Sequence, residues 1–424
     1  MQFNIMGKSK ERVLKALNHE NSDCVPVDFG STAVSGIHCY IVEALRSHYG
    51  LEQRPVKVID TFQMLGEIDE ELADKLGIDC IGVGGSKDSF GLDNTDLHEQ
   101  VTPWGQKVLV PVGLDFDKNE RGDVYMYAQG DRSCPPSGVM PDGCYFINAI
   151  ERQMPIDDDN LNPEDNLEEF SVLTDADIAH YKQSVDKATA TGRAVVASFG
   201  GAALGDVGLL PAMGLKNPKG IRSISEWYMS TLIRQDYIHE VFEREIDLAI
   251  ENYSKLWNAL GSKVDVVFTC GTDFGTQEGQ FCSLDVFMEL WQPHYRKLND
   301  WIHKNTTWKT MKHSCGAMVP ILPGIIKAGF DIINPVQINA KDMDSQRLKD
   351  EFGQQLTFWG GGVDTQRVLP YGTPDEVRRH VIGQCEILGK DGGFVFNSIH
   401  NVQANVPVEN IVAVFDALKE LRTK

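Results

Sequence analysis

His313 and Cys315 are the two residues whose types and spacing most directly suggest chemistry, in the segment His313-Ser314-Cys315-Gly316. Side chains at i and i+2 of an extended chain point to the same side, so an imidazole and a thiolate could reach one metal ion. Zinc suits such a mixed nitrogen and sulfur set, and a catalytic zinc has three protein ligands and one open position. The pair alone leaves both a zinc site and a metal-free interpretation open.

Further polar side chains stand where candidate strands end and the next loop begins. In proteins that alternate parallel strands with helices, these carboxyl ends meet at one edge and carry the active site. The residues at these positions are Asp273, His313, Cys315, Asn334, Gln337, Asp364, Gln366, Asn397 and His400. Such residues can also be caps of the following helices. Their recurrence at strand after strand predicts a functional edge.

A regular alternation of short apolar runs and amphipathic stretches predicts the elements that position these residues. The candidate strands are 25–29, 78–83, 194–199, 264–269, 307–312, 330–334, 356–360 and 394–398. The longer helical patterns are 236–259, 284–304, 317–328 and 374–388, and 9–20 predicts an N-terminal helix. Eight strands with intervening helices indicate an α/β fold of the (β/α)₈ TIM-barrel type. A doubly wound open sheet is the rival, but no glycine-rich dinucleotide turn supports it.

Residues 100–150 have a different sequence pattern, in which turn signals such as Pro135-Pro136-Ser137-Gly138 separate short β-prone runs. This pattern predicts a hairpin-rich insertion. We expect residues 1–424 to form a single barrel domain that carries this insertion. The insertion could shape the pocket or a subunit contact, and the sequence does not choose between them.

The formal net charge of −21 argues against nucleic acid and anionic membranes as partners, because the basic residues are scattered. No window is apolar enough for a membrane helix, and the N-terminus lacks the apolar core of a signal peptide. The nine cysteines have no secreted-framework spacing. We therefore expect a cytoplasmic protein whose cysteines are thiols or metal ligands.

Four segments resemble uroporphyrinogen decarboxylase-like proteins: Thr272–Gln277, His313–Gln337, Gly361–Gln366 and Val406–Ile411. The resemblance is good from about residue 260 to the end and looser before it. It implies a single (β/α)₈ barrel with a funnel at the carboxyl ends of its strands.

The superfamily has a decarboxylase side and a methyltransferase side. The porphyrinogen decarboxylase binds its substrate through an arginine-containing loop after the N-terminal Pro-Val segment, whereas residues 26–33 here read PVDFGSTA without arginine. The methyltransferases resemble this chain in having His-x-Cys at the same strand end. The resemblance therefore implies an enzyme that moves a methyl group between a corrinoid and a small methylated substrate, a thiol or a folate.

The third zinc ligand is where this chain departs from its relatives. In the methyltransferases, a cysteine shortly before the Pro-x-Glu-Asn block completes the site, and here that position falls near His400. Relatives that demethylate aryl ethers use two glutamates instead, at places that correspond to Gln277 and Gln292. Because histidine can replace cysteine on zinc, the resemblance implies His313, Cys315 and His400 as the metal ligands. Cys385 lies in a helical pattern and is interpreted as core.

The same resemblance suggests roles for the remaining polar residues. Asp273 and Asp364 are expected to orient substrate or act as acid and base, and the expected substrate contacts are Gln277, Asn334, Gln337 and Gln366. No corrinoid-binding Asp-x-His-x-x-Gly signature is found, so the corrinoid would come from a partner protein. Relatives are often dimers, which makes a homodimer an expectation.

Two alternatives remain open. One is a metal-independent decarboxylase or lyase that acts on a small carboxylated substrate. The other is a non-catalytic binding module in which the His-Cys pair is structural.

Overall fold

The computed structural model describes residues 6–200 and 202–423. The helices are α1 Met6–Leu17, α2 Cys39–His48, α3 Glu70–Leu76, α4 Asp175–Ala190, α5 Ile224–Ile233, α6 Gln235–Leu260, α7 Leu284–Leu290, α8 Gln292–Asn305, α9 Leu322–Lys327, α10 Ser345–Phe352, α11 Val368–Tyr371, α12 Pro374–Leu388 and α13 Val408–Thr423. The strands are β1 Val56–Asp60, β2 Leu65–Gly66, β3 Cys80–Val83, β4 Leu97–Val101, β5 Lys107–Pro111, β6 Val124–Met126, β7 Gly138–Met140, β8 Asn148–Ala149, β9 Ala194–Ala197, β10 Val266–Cys270, β11 Lys309–His313, β12 Ile332–Asn334, β13 Thr357–Trp359 and β14 Phe394–Val395. Across the described ranges, none of the helices is both long and apolar enough to cross a bilayer.

Seven strands form one parallel sheet in the order β3-β9-β10-β11-β12-β13-β14. Their order in the sheet follows their order in the chain. At least one helix lies between each pair of consecutive strands from β9 to β14. This arrangement confirms the parallel α/β architecture and gives the chain a TIM-like fold.

An extended N-terminal segment, residues 26–28, hydrogen-bonds to both edges of this sheet. Asp28 N donates to Phe396 O at 2.9 Å and Phe396 N donates to Pro26 O at 2.8 Å. On the other side, Asp79 N donates to Val27 O at 2.7 Å. This segment therefore links the β14 edge to the β3 edge, as the sequence pattern over 25–29 predicts for a further strand.

Most of the predicted helices and strands occur close to their predicted positions. The predicted helix 284–304 is two helices, because α7 ends before Trp291 and α8 begins at Gln292 with a proline in its first turn. The predicted helix over 317–328 is shorter than the pattern suggests, since α9 spans only Leu322–Lys327 and also begins with a proline. Proline is tolerated at a helix start, where its missing N–H has no intrahelical acceptor.

The core has two layers, separated by the parallel sheet. Successive strand residues point to opposite faces, so alternate side chains line the inside of the sheet. This inner cluster contains Cys80, Ala194, Val196, Val266, Met311, Ile332, Trp359 and Val395, together with Val13, Ala16 and Leu17 of α1. Helix α1 thus covers the amino ends of the strands, while the larger outer cluster fills the space between the sheet and the surrounding helices.

The strands between β3 and α4 belong to two smaller sheets. Strands β4 and β5 pair antiparallel, and β6, β7 and β8 form a three-stranded antiparallel sheet. These pairings agree with the predicted hairpin-rich insertion. The sheet that contains β4 and β5 also includes the earlier strands β1 and β2, which the sequence pattern did not identify.

Asp79, directly before β3, joins both ends of the chain to the amino end of the sheet. Its side chain is 1% exposed and forms ion pairs with Arg12 of α1 and Arg422 of α13. Its Oδ2 also accepts the backbone N–H of Val27 at 3.0 Å. One buried carboxylate therefore holds the N-terminal helix, the C-terminal helix and the linking segment together.

Replacing this carboxylate should cost much of the stability. Asp79→Ala leaves two arginines without their shared partner, and we expect the free energy of unfolding to fall by about 3 kcal/mol. Glu11→Ala, which removes the exposed ion pair with Lys15 on the same helix α1, should leave the unfolding midpoint unchanged. Denaturant titrations of both variants measure the difference. Equal losses in the free energy of unfolding would contradict a stabilising role for the buried Asp79 ion pairs.

Candidate metal centre at the carboxyl ends of the strands

Three neighbouring strands place polar side chains at one edge of the parallel sheet. Strand β11 ends at His313, whose register partner in β12 is Asn334. Ser314 N donates to Asn334 O at 2.7 Å, so the parallel pairing continues one residue beyond His313. Asp273 follows β10, the neighbour of β11 on the other side.

His313, Cys315 and His400 form a cluster at this edge. One potential ligand atom from each residue lies within 4.8 Å of the other two. The Cys315 Sγ is 3.4 Å from His313 Nε2, and the ring centroids of His313 and His400 are 5.5 Å apart. Residues nearly 90 positions apart in the chain are thus brought together by the ends of β11 and β14.

The imidazole of His313 is held in a form suited to binding a metal. Its Nδ1 lies 2.6 Å from Asn334 Oδ1, and the amide nitrogen of Asn334 donates to Trp359 O at 2.8 Å. With the amide oriented by that second bond, its oxygen accepts the hydrogen of Nδ1 and leaves the lone pair of Nε2 free. Burial lowers the pKa of His313 to about 4, so the ring is neutral at pH 7.

Cys315 lies in a tight turn built on two backbone hydrogen bonds. Its N–H donates to Asp273 Oδ1 at 2.7 Å, and the N–H of Gly316 donates to Gln337 Oε1 at 2.7 Å. Burial, and then the negative charge of Asp273, raise the pKa of the Cys315 thiol well above its usual value. A bound cation would reverse this preference, because a coordinating thiol loses its proton.

His400 requires a small adjustment to join the other two ligands. Its Nδ1 accepts the backbone N–H of Asn401 at 2.8 Å, which leaves the hydrogen of the neutral ring on Nε2. Coordination through either nitrogen therefore requires the ring to turn away from this bond. Burial, and then the neighbouring His313, lower the pKa of His400 to about 4, so it too is neutral at pH 7. Two imidazoles and one thiol at these distances fit zinc once His400 has turned.

Comparison with known proteins adds the family. Residues 214–421 match the family model described as uroporphyrinogen decarboxylase (URO-D). Residues 214–421 therefore belong to the uroporphyrinogen decarboxylase family. All three clustered residues lie inside the matched region.

Solved structures with a similar fold include a methyltransferase from Methanosarcina mazei. Its TM-score is 0.54 at 13% sequence identity, and the alignment covers 97% of this chain and 98% of that one. A D-psicose 3-epimerase from Clostridium cellulolyticum H10 has a TM-score of 0.34 at 10% identity, over 59% of this chain and 84% of that one. The GH53 catalytic domain from Ignisphaera aggregans has a TM-score of 0.34 at 12% identity, over 92% and 99%. The sequence matches no curated protein.

The other residues that the sequence predicts at the site differ in their contacts with the cluster. Asp273, Asn334 and Gln337 contact the residues of the His-Cys turn directly, and Asp273 Oδ1 is 3.8 Å from His313 Nε2. Asp364 is buried in a turn before α11, where its Oδ1 accepts the N–H groups of Gln366 and Arg367.

Three other glutamines, Gln277, Gln366 and Gln292, lie away from these contacts. Gln277 and Gln366 are exposed. Gln292 donates from α8 to the backbone oxygen of Lys327 at the end of α9. The structure therefore brings part of the expected set into contact with the cluster and gives Asp364 a capping position.

Two charged residues near the site were not identified from the sequence. Lys312 is fully buried, and its Nζ donates to the backbone oxygens of Thr272 and His313. Asp206 lies in the loop after β9, and burial raises its pKa to about 6. Lys312 stands out as a charge in a predicted core strand. Asp206 follows strand 194–199 too distantly for the strand-end rule to select it.

The turn after Cys315 depends on a glycine. Gly316 has φ +94°, and an added Cβ would overlap the backbone of Gly275 in the neighbouring loop. We expect Gly316→Ala to lower the free energy of unfolding by about 2 kcal/mol and to displace Cys315. The control is Gly279→Ala in the same loop region, where an added Cβ meets nothing within 4 Å. Thermal unfolding of the two variants measures the difference, and equal stabilities would contradict a tight contact at Gly316.

Proposed function

We propose that this protein is a zinc-dependent methyltransferase that moves a methyl group between a corrinoid, carried by a partner protein, and a small thiol, folate or methylated substrate. The observation that supports this most is the convergence of His313, Cys315 and His400 at the carboxyl ends of the strands of a TIM-like fold. The match of residues 214–421 to the uroporphyrinogen decarboxylase family agrees with it, as does the likeness in fold to a methyltransferase along nearly the whole chain.

In this proposal His313, Cys315 and His400 hold the zinc ion. When bound, zinc supplies a Lewis acid that makes the heteroatom bearing or receiving the methyl group more reactive. Asn334 keeps the Nε2 lone pair of His313 available through its hydrogen bond to Nδ1. Asp273 braces the turn at Cys315 and can orient a substrate, since its side chain remains 27% exposed.

The remaining expected residues have proposed roles that follow from their positions. Gln277 and Gln366 are exposed and can contact substrate or partner, whereas Gln337 shapes the site through Gly316. Asp364 holds the turn that carries Gln366, and its acid-base role stays a prediction.

We also infer the larger organisation of the protein. Segment 26–28 would be the eighth strand of a closed (β/α)₈ barrel, because it hydrogen-bonds to both edges of the sheet. Residues 1–424 would then be one domain, with a homodimer as the expected assembly. All nine cysteines are free thiols, and the expected location in a reducing cytoplasm stays a prediction.

Zinc content tests the metal site. Purified protein should contain about one zinc per chain, and His313→Ala and Cys315→Ala should each remove it. The matched control is Cys282→Ala, which removes a half-buried thiol outside the cluster and should retain zinc. His400→Cys should bind zinc more tightly than the natural chain, because the thiolate has no competing bond to Asn401. Elemental analysis and chelator competition measure these effects, and full activity of a metal-free protein would reject the zinc site.

Methyl transfer tests the reaction. We expect zinc-loaded protein to move the methyl group of free methylcobalamin to 2-mercaptoethanol or to a reduced folate, measured by the change in the corrinoid spectrum. His313→Ala should abolish transfer without unfolding the protein. A folded, zinc-loaded protein that accepts no corrinoid in either direction would favour the metal-independent lyase or the binding module.

A further inference from the structure

Asp206 lies at the carboxyl edge of the sheet without being part of the proposed metal centre. It belongs to the loop between β9 and α5, and its Oδ1 accepts the N–H of Gly208 at 2.9 Å. Its Oδ2 rests on the backbone of Gly271, the residue after β10, where any Cβ would overlap the carboxylate. Because Gly271 has no side chain, the carboxyl group of Asp206 fits against the chain only two residues before Asp273.

Three contacts fix the loop that carries Asp206. Glu245 Oε1 accepts the N–H of Leu204 at 3.1 Å, and the indole of Trp291 donates to Leu204 O at 3.1 Å. The hydroxyl of Thr272 donates to Ala203 O. Leu204 has φ +42°, a left-handed conformation that a leucine keeps only when its surroundings hold it there. The loop is thus held in a strained shape that delivers Asp206 to this edge.

Five titratable groups interact electrostatically with Asp206. They are Asp273, Lys312, Glu245, Tyr228 and Cys315. Lys312, the single cation among them, donates its hydrogen bonds to the backbone oxygens of Thr272 and His313. Burial and the charge of Asp273 raise the pKa of Asp206 to about 6. A carboxyl group in this environment can change its protonation state close to neutral pH.

We propose that Asp206 is the catalytic residue that exchanges a proton with the heteroatom that gains or loses the methyl group. This assignment rests on the proposed function. Glu245, Trp291 and Thr272 hydrogen-bond to the loop and not to Asp206 itself, and they are positioning residues.

The proton balance of a thiol acceptor shows what Asp206 would do. The S–H bond breaks and its electron pair stays on sulfur, while the carboxylate of Asp206 takes the proton. Sulfur then forms a bond to the methyl carbon, and the cobalt–carbon bond breaks with its electron pair remaining on the corrinoid. In the reverse sense, the electron pair of the reduced corrinoid forms the cobalt–carbon bond, and the bond from the methyl carbon to oxygen or nitrogen breaks with its electron pair on that heteroatom. The carboxyl group of Asp206 then gives its proton to the heteroatom.

Thiol binding to zinc-loaded protein provides a test that does not depend on turnover. The dissociation constant of 2-mercaptoethanol is measured between about pH 5 and pH 8. The slope of its logarithm against pH gives the number of protons released when one thiol binds. In the natural chain a bound thiolate raises the pKa of Asp206, so fewer than one proton per thiol should be released around the pKa of this carboxyl group. Asp206→Asn should release about one proton at every pH, because the amide cannot take a proton but can still accept the Gly208 N–H.

Glu278→Gln is the matched control. Glu278 is an exposed carboxylate in the loop after β10, and its removal should leave the proton count as in the natural chain. In the methylcobalamin assay, Asp206→Asn should lower kcat by about 100-fold with little change in the KM for the thiol.

The possible results separate this role from the function on which it rests. Intact thiol binding with the same proton count in Asp206→Asn and the natural chain would overturn the role of Asp206 alone. Absence of thiol binding in every zinc-loaded form would overturn the zinc-thiol chemistry and this role together. A lowered kcat with an unchanged proton count would make Asp206 a structural residue and would also reject the proposal.

Discussion

The hydrogen bond between His313 Nδ1 and Asn334 Oδ1 connects the fold to the chemistry of the site. It exists because β11 and β12 pair in parallel and in a register that sets these two residues side by side at the ends of their strands. A shift of one residue would turn the side chains to the opposite faces of the sheet and separate the imidazole from both Asn334 and Cys315. The backbone pairing of two strands thus decides which nitrogen of His313 is free.

The amino end of the parallel sheet stabilises the fold, whereas the carboxyl end carries the candidate site. At the amino end, α1 covers the inner core and Asp79 ties the chain termini together with buried ion pairs. At the carboxyl end, loops with left-handed residues and close glycine contacts leave titratable groups partly accessible. Stability concentrated at one end allows the other end to keep a strained loop at Leu204 and a tight turn at Gly316.

Acidic and basic groups both act on the proposed metal centre. Asp273 lies beside the cluster, Asp206 lies against Gly271 at the end of the neighbouring strand, and Lys312 directs its donors to backbone oxygens. Burial and the neighbouring negative charge of Asp273 raise the pKa of both Cys315 and Asp206. A divalent ion would lower the cost of the thiolate and change the proton affinity of its neighbours at the same time, so metal binding and proton transfer would be linked.

The sequence by itself determined the class of the fold and the first two ligands of the candidate site. Apolar strands that alternate with amphipathic helices have local periodicities, and His313 and Cys315 are two residues apart, so both signals are present in short windows. Strands β1 and β2 were not identified, and β1 pairs with β5 from a distant part of the chain. The break at Trp291 does have a local signal, the proline in the first turn of α8, which the apolar periodicity over 284–304 hides.

Only the tertiary structure decided how the site is completed. It placed His400 beside His313 although nearly 90 residues separate them, and it showed that the His400 ring is engaged by Asn401. It assigned Asp364 to a turn before α11 and revealed Asp206 against Gly271. Burial, ring orientation and contacts between loops arise from the whole fold, and no local pattern of residues encodes them.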